Sequence, residues 1–206
     1  KSHILKIPPY EAGISQLPKK KKIIKLSSNE SAYGAGNKVT KAYIAALAKL
    51  NRYPDSNCDK LKKAIAKKFS LDYKSIVCSN GSDELITLIA KSFAGAGDEI
   101  LCTEHGFSYY RIAAIAAGAN TKIAKEVNCS VNVDNILKQV TKRTKIIFLA
   151  NPGNPTGTYI ALGEIKKLCD QLPKKILLVL DGAYAEFVDK NDYDPGIRLV
   201  KKYSNV

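Results

Sequence analysis

From Ser75 onward the chain alternates short apolar runs with amphipathic helical patterns, and this constrains its fold more than any other feature. The runs read as strands near 76–78, 99–102, 121–124, 145–150 and 176–180. Helices fall near 83–94, 108–117, 133–140, 161–172 and 195–203, after two earlier ones at 38–50 and 59–69. In the first of these, Val39, Ala42, Tyr43, Ala46, Leu47 and Leu50 mark one helical face. Apolar strands separated by helices predict an α/β fold with a mainly parallel, helix-covered sheet. Residues 1–37 carry Pro8, Pro9, Pro18, Gly34 and Gly36 without a sustained period, and read as an extended N-terminal arm ahead of one domain at 38–206.

In such sheets ligands bind beyond the carboxyl ends of the strands, and two of those ends are chemically unusual. The strand at 145–150 runs into Asn151-Pro152-Gly153-Asn154-Pro155-Thr156-Gly157. Its prolines and glycines make a turn of fixed shape, with Asn154 as the main polar side chain. The run Ile176 to Leu180 ends in Asp181-Gly182-Ala183-Tyr184. Asp181 sits at the rim of the core, where an unpaired carboxylate is costly, so a cationic partner is expected. A third strand–turn–helix junction, Ser79-Asn80-Gly81-Ser82-Asp83-Glu84, offers free backbone N–H groups at a helix start, which suit an anion.

Bulk properties narrow the class. The 206 residues suffice for one substantial core, and 45% hydrophobic with 25% charged residues is ordinary for a globular domain. No apolar run approaches the ~18–20 residues of a membrane span, and Lys1 to Lys25 lacks the apolar stretch of a signal peptide. Five cysteines without a CxxC pair argue for reduced thiols and a cytoplasmic protein, against zinc or a disulfide framework. The net charge of +14 raises nucleic acid as a partner. The lysines are dispersed, however; the one run, Lys19 to Lys22, has no interleaved aromatic residues, and a solvated basic surface is the better reading. Such a surface favours anionic, phosphorylated ligands. Methionine is absent altogether.

NPGNPTG followed by DGAY resembles the pyridoxal-phosphate (PLP) aminotransferases of fold type I. Further words narrow the resemblance to the histidinol-phosphate aminotransferase family: Lys25-Leu26-Ser27-Ser28-Asn29-Glu30, Arg52-Tyr53-Pro54-Asp55, Ser79 to Leu85, Glu104-His105-Gly106-Phe107 and Ala183-Tyr184-Ala185-Glu186-Phe187. They occur in the family's order over almost the whole chain. The resemblance implies the PLP-binding large domain, incomplete, with the C-terminal small domain absent. It also implies transamination of L-histidinol phosphate with 2-oxoglutarate in histidine biosynthesis, by a homodimer with shared active sites that involves neither nucleic acid nor membrane.

By resemblance, Asp181 pairs with the protonated pyridine nitrogen, whose pKa a buried carboxylate raises. Asn154 and Tyr184 donate to the phenolate oxygen of the ring, Phe107 stacks on it, and Gly81, Ser82 and Asp83 cradle the phosphate. Tyr53 reaches the cofactor phosphate of the partner subunit; Tyr10 and Asn29 lie near the substrate. His105 reads as a loop residue without a partner. Where the family has Asp-Glu-Ala-Tyr, Gly182 stands here, which loosens the backbone beside Asp181. Family members continue past a segment like Lys202-Tyr203-Ser204-Asn205-Val206 to the lysine that carries PLP. No lysine here lies in a word matching that of the PLP lysine, so the chain as it stands is expected not to transaminate. Alternatives are an aromatic-amino-acid aminotransferase or a PLP-dependent phospho-amino-acid decarboxylase of the same fold and, from another class, a non-catalytic fragment that binds PLP or phosphate.

Overall fold

The computed structural model of the chain describes residues 2–8, 24, 25 and 27–206. Four strands form the sheet, β1 (Glu99–Thr103), β2 (Asn120–Ala124), β3 (Thr144–Ala150) and β4 (Leu177–Asp181), in the order β2-β1-β3-β4. All three pairings are parallel, as the alternation of runs and helices predicts.

The helices are α1 (Asn37–Ala46), α2 (Asp59–Phe69), α3 (Ser82–Phe93), α4 (Tyr109–Ala117), α5 (Val133–Gln139), α6 (Leu162–Gln171) and α7 (Ile197–Lys202). Of these, α3 to α7 cover both faces of the sheet, because successive strand residues point to opposite sides. Ile100, Cys102, Ile146, Phe148 and Ala150 pack with Ile86 and Ala90 of α3 and Tyr110, Ala113 and Ala114 of α4. Leu101, Ile147, Leu149 and Leu178 pack with Val133 and Ile136 of α5, Ile165 and Leu168 of α6 and Leu199 of α7. Strands flanked on both faces are apolar along their central positions, as at Ile100 to Cys102 and Ile146 to Ala150, which is why those stretches read as continuous runs.

Two expectations change. Residues 76–78 are extended but pair with no strand among the described residues. Ile76 is buried while Val77 is 69% exposed, so the run has one buried face and no ladder. Within the arm, Ser2–Lys6 forms a short 3-10 turn rather than extended chain. It lies against the end of α4, with the His3 ring 3.5 Å from where a Cβ on Gly118 would stand. The apolar side chains Val39, Tyr43 and Leu50 near the N-terminus are exposed. No helix among the described residues is long and apolar enough to cross a membrane.

At the amino end of the sheet, far from the ligand-binding ends, Glu99 is buried yet charged. Its carboxylate accepts from Thr141 Oγ1 at 2.6 Å and from Arg143 Nε and Nη2 at 3.1 and 2.8 Å. The Thr141 hydroxyl above all, with Arg143, holds its carboxyl below the usual range against the opposing effect of burial. A carboxylate whose pKa is lowered by folding stabilises the folded state above its unfolded pKa and loses that effect as pH falls through the folded value. Glu99→Gln is therefore expected to cost about 1–3 kcal/mol at neutral pH. That cost should shrink as pH falls below the ordinary value of 4.5, as read from urea denaturation midpoints at a series of pH values.

Candidate active site

Three loops and one helix start meet at the carboxyl ends of the strands, around a cleft of about 690 Å³. The strand order places β1 and β3 side by side while their connections leave in opposite directions. The crevice beyond them is where an open parallel sheet takes its ligand.

The loop after β1 turns sharply at Gly106, whose N–H donates to Thr103 O at 3.2 Å. A Cβ there would lie 2.8 Å from Thr103 Oγ1, so any larger residue would force the Thr103 side chain to shift. The turn brings Phe107 to the cleft, braced by the ring of Tyr110 edge-on at 5.6 Å and by Tyr109 at 6.2 Å. Contrary to the sequence reading, His105 has a carboxylate partner. Its Nδ1 lies 3.0 Å from Glu126 Oε2, and its backbone N–H donates to Oε1 of the same group at 3.1 Å.

The loop after β3 is fastened by Asn151, whose side chain forms a two-point clamp on Ile160. Nδ2 donates to Ile160 O at 3.1 Å, and Oδ1 accepts from Ile160 N–H at 2.9 Å. Within the loop, Gly153 N–H donates to Thr158 O at 2.7 Å and Gly157 N–H to Gly153 O at 2.9 Å. With the turn closed at both levels, Asn154 is presented to the cleft.

Asp181 is the last residue of β4, paired with Ala150. Its Oδ2 accepts from Tyr110 Oη at 2.7 Å and its Oδ1 from Ala183 N–H at 3.1 Å. Among the described residues no Lys, Arg or His forms an ion pair with Asp181. Both donors to the carboxylate, a phenol and a backbone N–H, are neutral. Tyr184 follows on the same loop, and its hydroxyl accepts from Asn29 Nδ2 at 2.9 Å. That leaves the Tyr184 proton free to donate to something else.

At the fourth side, Gly81 caps α3 with φ +87°, a conformation that favours glycine. Asn80 N–H donates to Glu84 Oε2 at 2.7 Å, closing the helix start. The first-turn N–H groups have no acceptor inside the helix; Ser82 lines the cleft, whereas its chain neighbours Gly81 and Asp83 do not.

The structure thus brings Asn29, Ser82, Phe107, Asn154, Asp181 and Tyr184 to one cleft. Tyr53 is not among them: it is fully exposed on the surface. Tyr10 lies outside the described residues. Sequence reasoning missed Tyr110 and Arg111, the latter also lining the cleft and donating from Nη2 to Glu104 O. The doublet Tyr109-Tyr110 opening a helix straight after the Phe107 loop was the available signal.

A parallel sheet with helices on both faces, in the order β2-β1-β3-β4, is the fold of PLP-dependent transferases of fold type I. The model of the aminotransferase class I and II family matches residues 21–206, and the chain belongs to that family. It is 49% identical to a histidinol-phosphate aminotransferase of Paramagnetospirillum magneticum over 98% of this chain and 56% of that protein. The corresponding enzyme of Maricaulis maris is 45% identical over the same shares, 98% and 56%. The chain thus spans about half the length of the curated relatives it matches. Among solved structures, the histidinol-phosphate aminotransferase of Sinorhizobium meliloti in complex with pyridoxal-5'-phosphate superposes with a TM-score of 0.78 at 25% identity, over 82% of this chain and 46% of that one. A putative histidinol-phosphate aminotransferase of Erwinia carotovora atroseptica shares the fold, with a TM-score of 0.81 at 24% identity over 86% of this chain and 53% of that one.

The two glycines beside the site predict opposite outcomes. A Cβ on Gly182 would meet Pro195 O at 3.6 Å and Ala185 Cβ at 3.7 Å, both ordinary contacts. Gly182→Ala should therefore stabilise the protein by about 0.4–1 kcal/mol, through the unfolded chain. Gly81→Ala, at positive φ, should destabilise it by about 1–2 kcal/mol. Thermal unfolding of the two variants checks both signs.

Proposed function

We propose that the protein is a PLP-dependent aminotransferase that transfers the amino group of L-histidinol phosphate to 2-oxoglutarate, in the cytoplasm and as a homodimer with shared sites. The observation that carries the cofactor is Asp181, a carboxylate at the cleft held by neutral donors and free of any cationic side chain among the described residues. Such a group suits a cationic ring nitrogen. The rest of the donor set fits the same ligand: a flat aromatic face at Phe107, donors at Asn154 and Tyr184, and a helix start for a phosphate. The substrate reading is supported by the relatives at 43–49% identity, which carry the histidinol-phosphate name.

When bound, PLP supplies a cationic ring that draws off the electron pair released at the substrate carbon. Asp181 holds the proton on the ring nitrogen. Asn154 and Tyr184 donate to the ring oxygen, and Asn29, by occupying the acceptor side of the Tyr184 hydroxyl, points its proton away from itself. Phe107 fixes the plane of the ring. Gly81, Ser82 and Asp83 hold the phosphate through first-turn N–H groups and the Ser82 hydroxyl. Tyr53, exposed on its own subunit, serves the phosphate of the partner's site, and Tyr10 serves the substrate. In this reading residues 1–37 are the arm and 38–206 belong to the PLP-binding large domain.

A second reading, binding without turnover, is favoured by one observation: among the described residues no lysine lines the cleft. Measurement separates the two. The full-length protein is expected to show the visible band of lysine-bound PLP and to turn over L-histidinol phosphate with 2-oxoglutarate, whereas residues 1–206 alone show no such band. Asp181→Asn in the full-length protein should retain cofactor but lose several orders of magnitude in kcat, each ~1.4 kcal/mol of lost stabilisation being tenfold in rate. Near-normal turnover in that variant would remove Asp181 from its role, and activity only on unphosphorylated aromatic amino acids would reassign the substrate.

A further inference from the structure

Behind the cleft, one enclosed polar group is aimed at its acid. Tyr110 opens α4 and is 0% exposed. Its ring lies flat on Phe148, with centroids 5.0 Å apart and planes 10° apart, and meets Phe107 edge-on at 5.6 Å and 88°. Its hydroxyl donates to Asp181 Oδ2 at 2.7 Å. Tyr110 therefore touches both the carboxylate and the aromatic face of the site, and is itself held in the core between β3 and α4.

We propose that Tyr110 is a positioning residue, fixing the Asp181 carboxylate against the ring nitrogen of the bound cofactor. The proposal rests on the reading of Asp181 given above. An aspartate at a strand end has little else to stop its carboxylate turning; the other contact, from Ala183 N–H, is on Oδ1 at 3.1 Å. A phenol suits the task better than a lysine or arginine. A cationic partner would hold the carboxylate equally well but would cancel the charge that the ring nitrogen needs. Burial first, and then the neighbouring Asp181 charge, push the Tyr110 phenol far above its ordinary pKa, so it stays a donor. Its aromatic neighbours leave the ring no alternative direction, and the edge contact ties the placement of Phe107 to that of Asp181.

The test uses the full-length apoprotein and two ligands: PLP, and its 1-deaza analogue, in which the ring nitrogen is replaced by C–H. Both carry the same aldehyde and phosphate, so only the contact with Asp181 differs. Tyr110→Phe keeps the ring, its stacking and its volume, and removes the hydroxyl alone. A hydrogen bond to a charged group corresponds to about tenfold or more in affinity. Tyr110→Phe is expected to weaken PLP about tenfold and to leave the deaza analogue within about twofold of wild type. In an Asp181→Asn background the same substitution should change neither affinity. Equal losses for both ligands would make Tyr110 a packing residue and overturn the proposal, as would no loss for either. A Tyr110→Phe protein that fails to fold would overturn it too, by assigning the hydroxyl to stability. A wild-type protein that binds the two ligands equally well would remove the reading of Asp181 itself, and the proposal with it.

Discussion

The register between β3 and β4 is the constraint on which the site depends. Ile146 pairs with Leu177 and the ladder runs without a shift to Ala150 opposite Asp181. It closes with Asn151 N–H donating to Asp181 O at 2.9 Å. Side chains alternate along a strand, so this register puts Asp181 on the same face as Val179, toward α3 and α4, while Leu178 faces α5, α6 and α7. A slip of one residue would turn Asp181 into the opposite apolar layer. It would be separated from Tyr110, and a carboxylate would be buried where no donor is available. The same ladder sets Asn151 beside Asp181, so the clamp on Ile160 and the acid at the cleft are two consequences of one pairing.

How far the sequence could be read follows from the range of each interaction. Strands buried on both faces announce themselves locally, and β1, β2, β3 and β4 fall within a residue of the apolar runs. The run at 76–78 has the same composition but lacks a neighbour, and pairing is a property of two segments. The Asn151–Gly157 turn and Gly81 were legible because glycine and proline report backbone geometry directly. Tyr110 was not. Along the helix it occupies an apolar position, and the group that gives its hydroxyl a purpose lies 71 residues away. Glu126, the unforeseen partner of His105, follows β2, and only the parallel β1–β2 pairing brings it there. Tyr53 and Tyr10 rest on resemblance alone, the first exposed on the surface and the second outside the described residues.

On the loop side beyond β1, Lys125 pairs with Glu104, and His105 Nδ1 lies within hydrogen-bond distance of Glu126. Asp181, by contrast, is met by a phenol and an amide. Among the described residues no lysine lines the cleft.

The cleft also has a polarity that follows from its framework. The start of α3, with its unsatisfied N–H groups and the positive end of the helix dipole, stands at one side. Asp181, at the end of β4, stands at another. A ligand carrying an anion at one end and a cationic ring at the other satisfies both in one orientation and neither when reversed. Phe107 then restricts rotation about that axis by offering a flat face. Asn154 and Tyr184, on neighbouring loops, supply donors for a polar edge between the two ends. Since Tyr110 reaches Asp181 through its hydroxyl and Phe107 through its ring, the charged end and the flat face are set by one buried side chain. The carboxylate and the aromatic ring at the cleft are thus both held from the core, below the loops that line it.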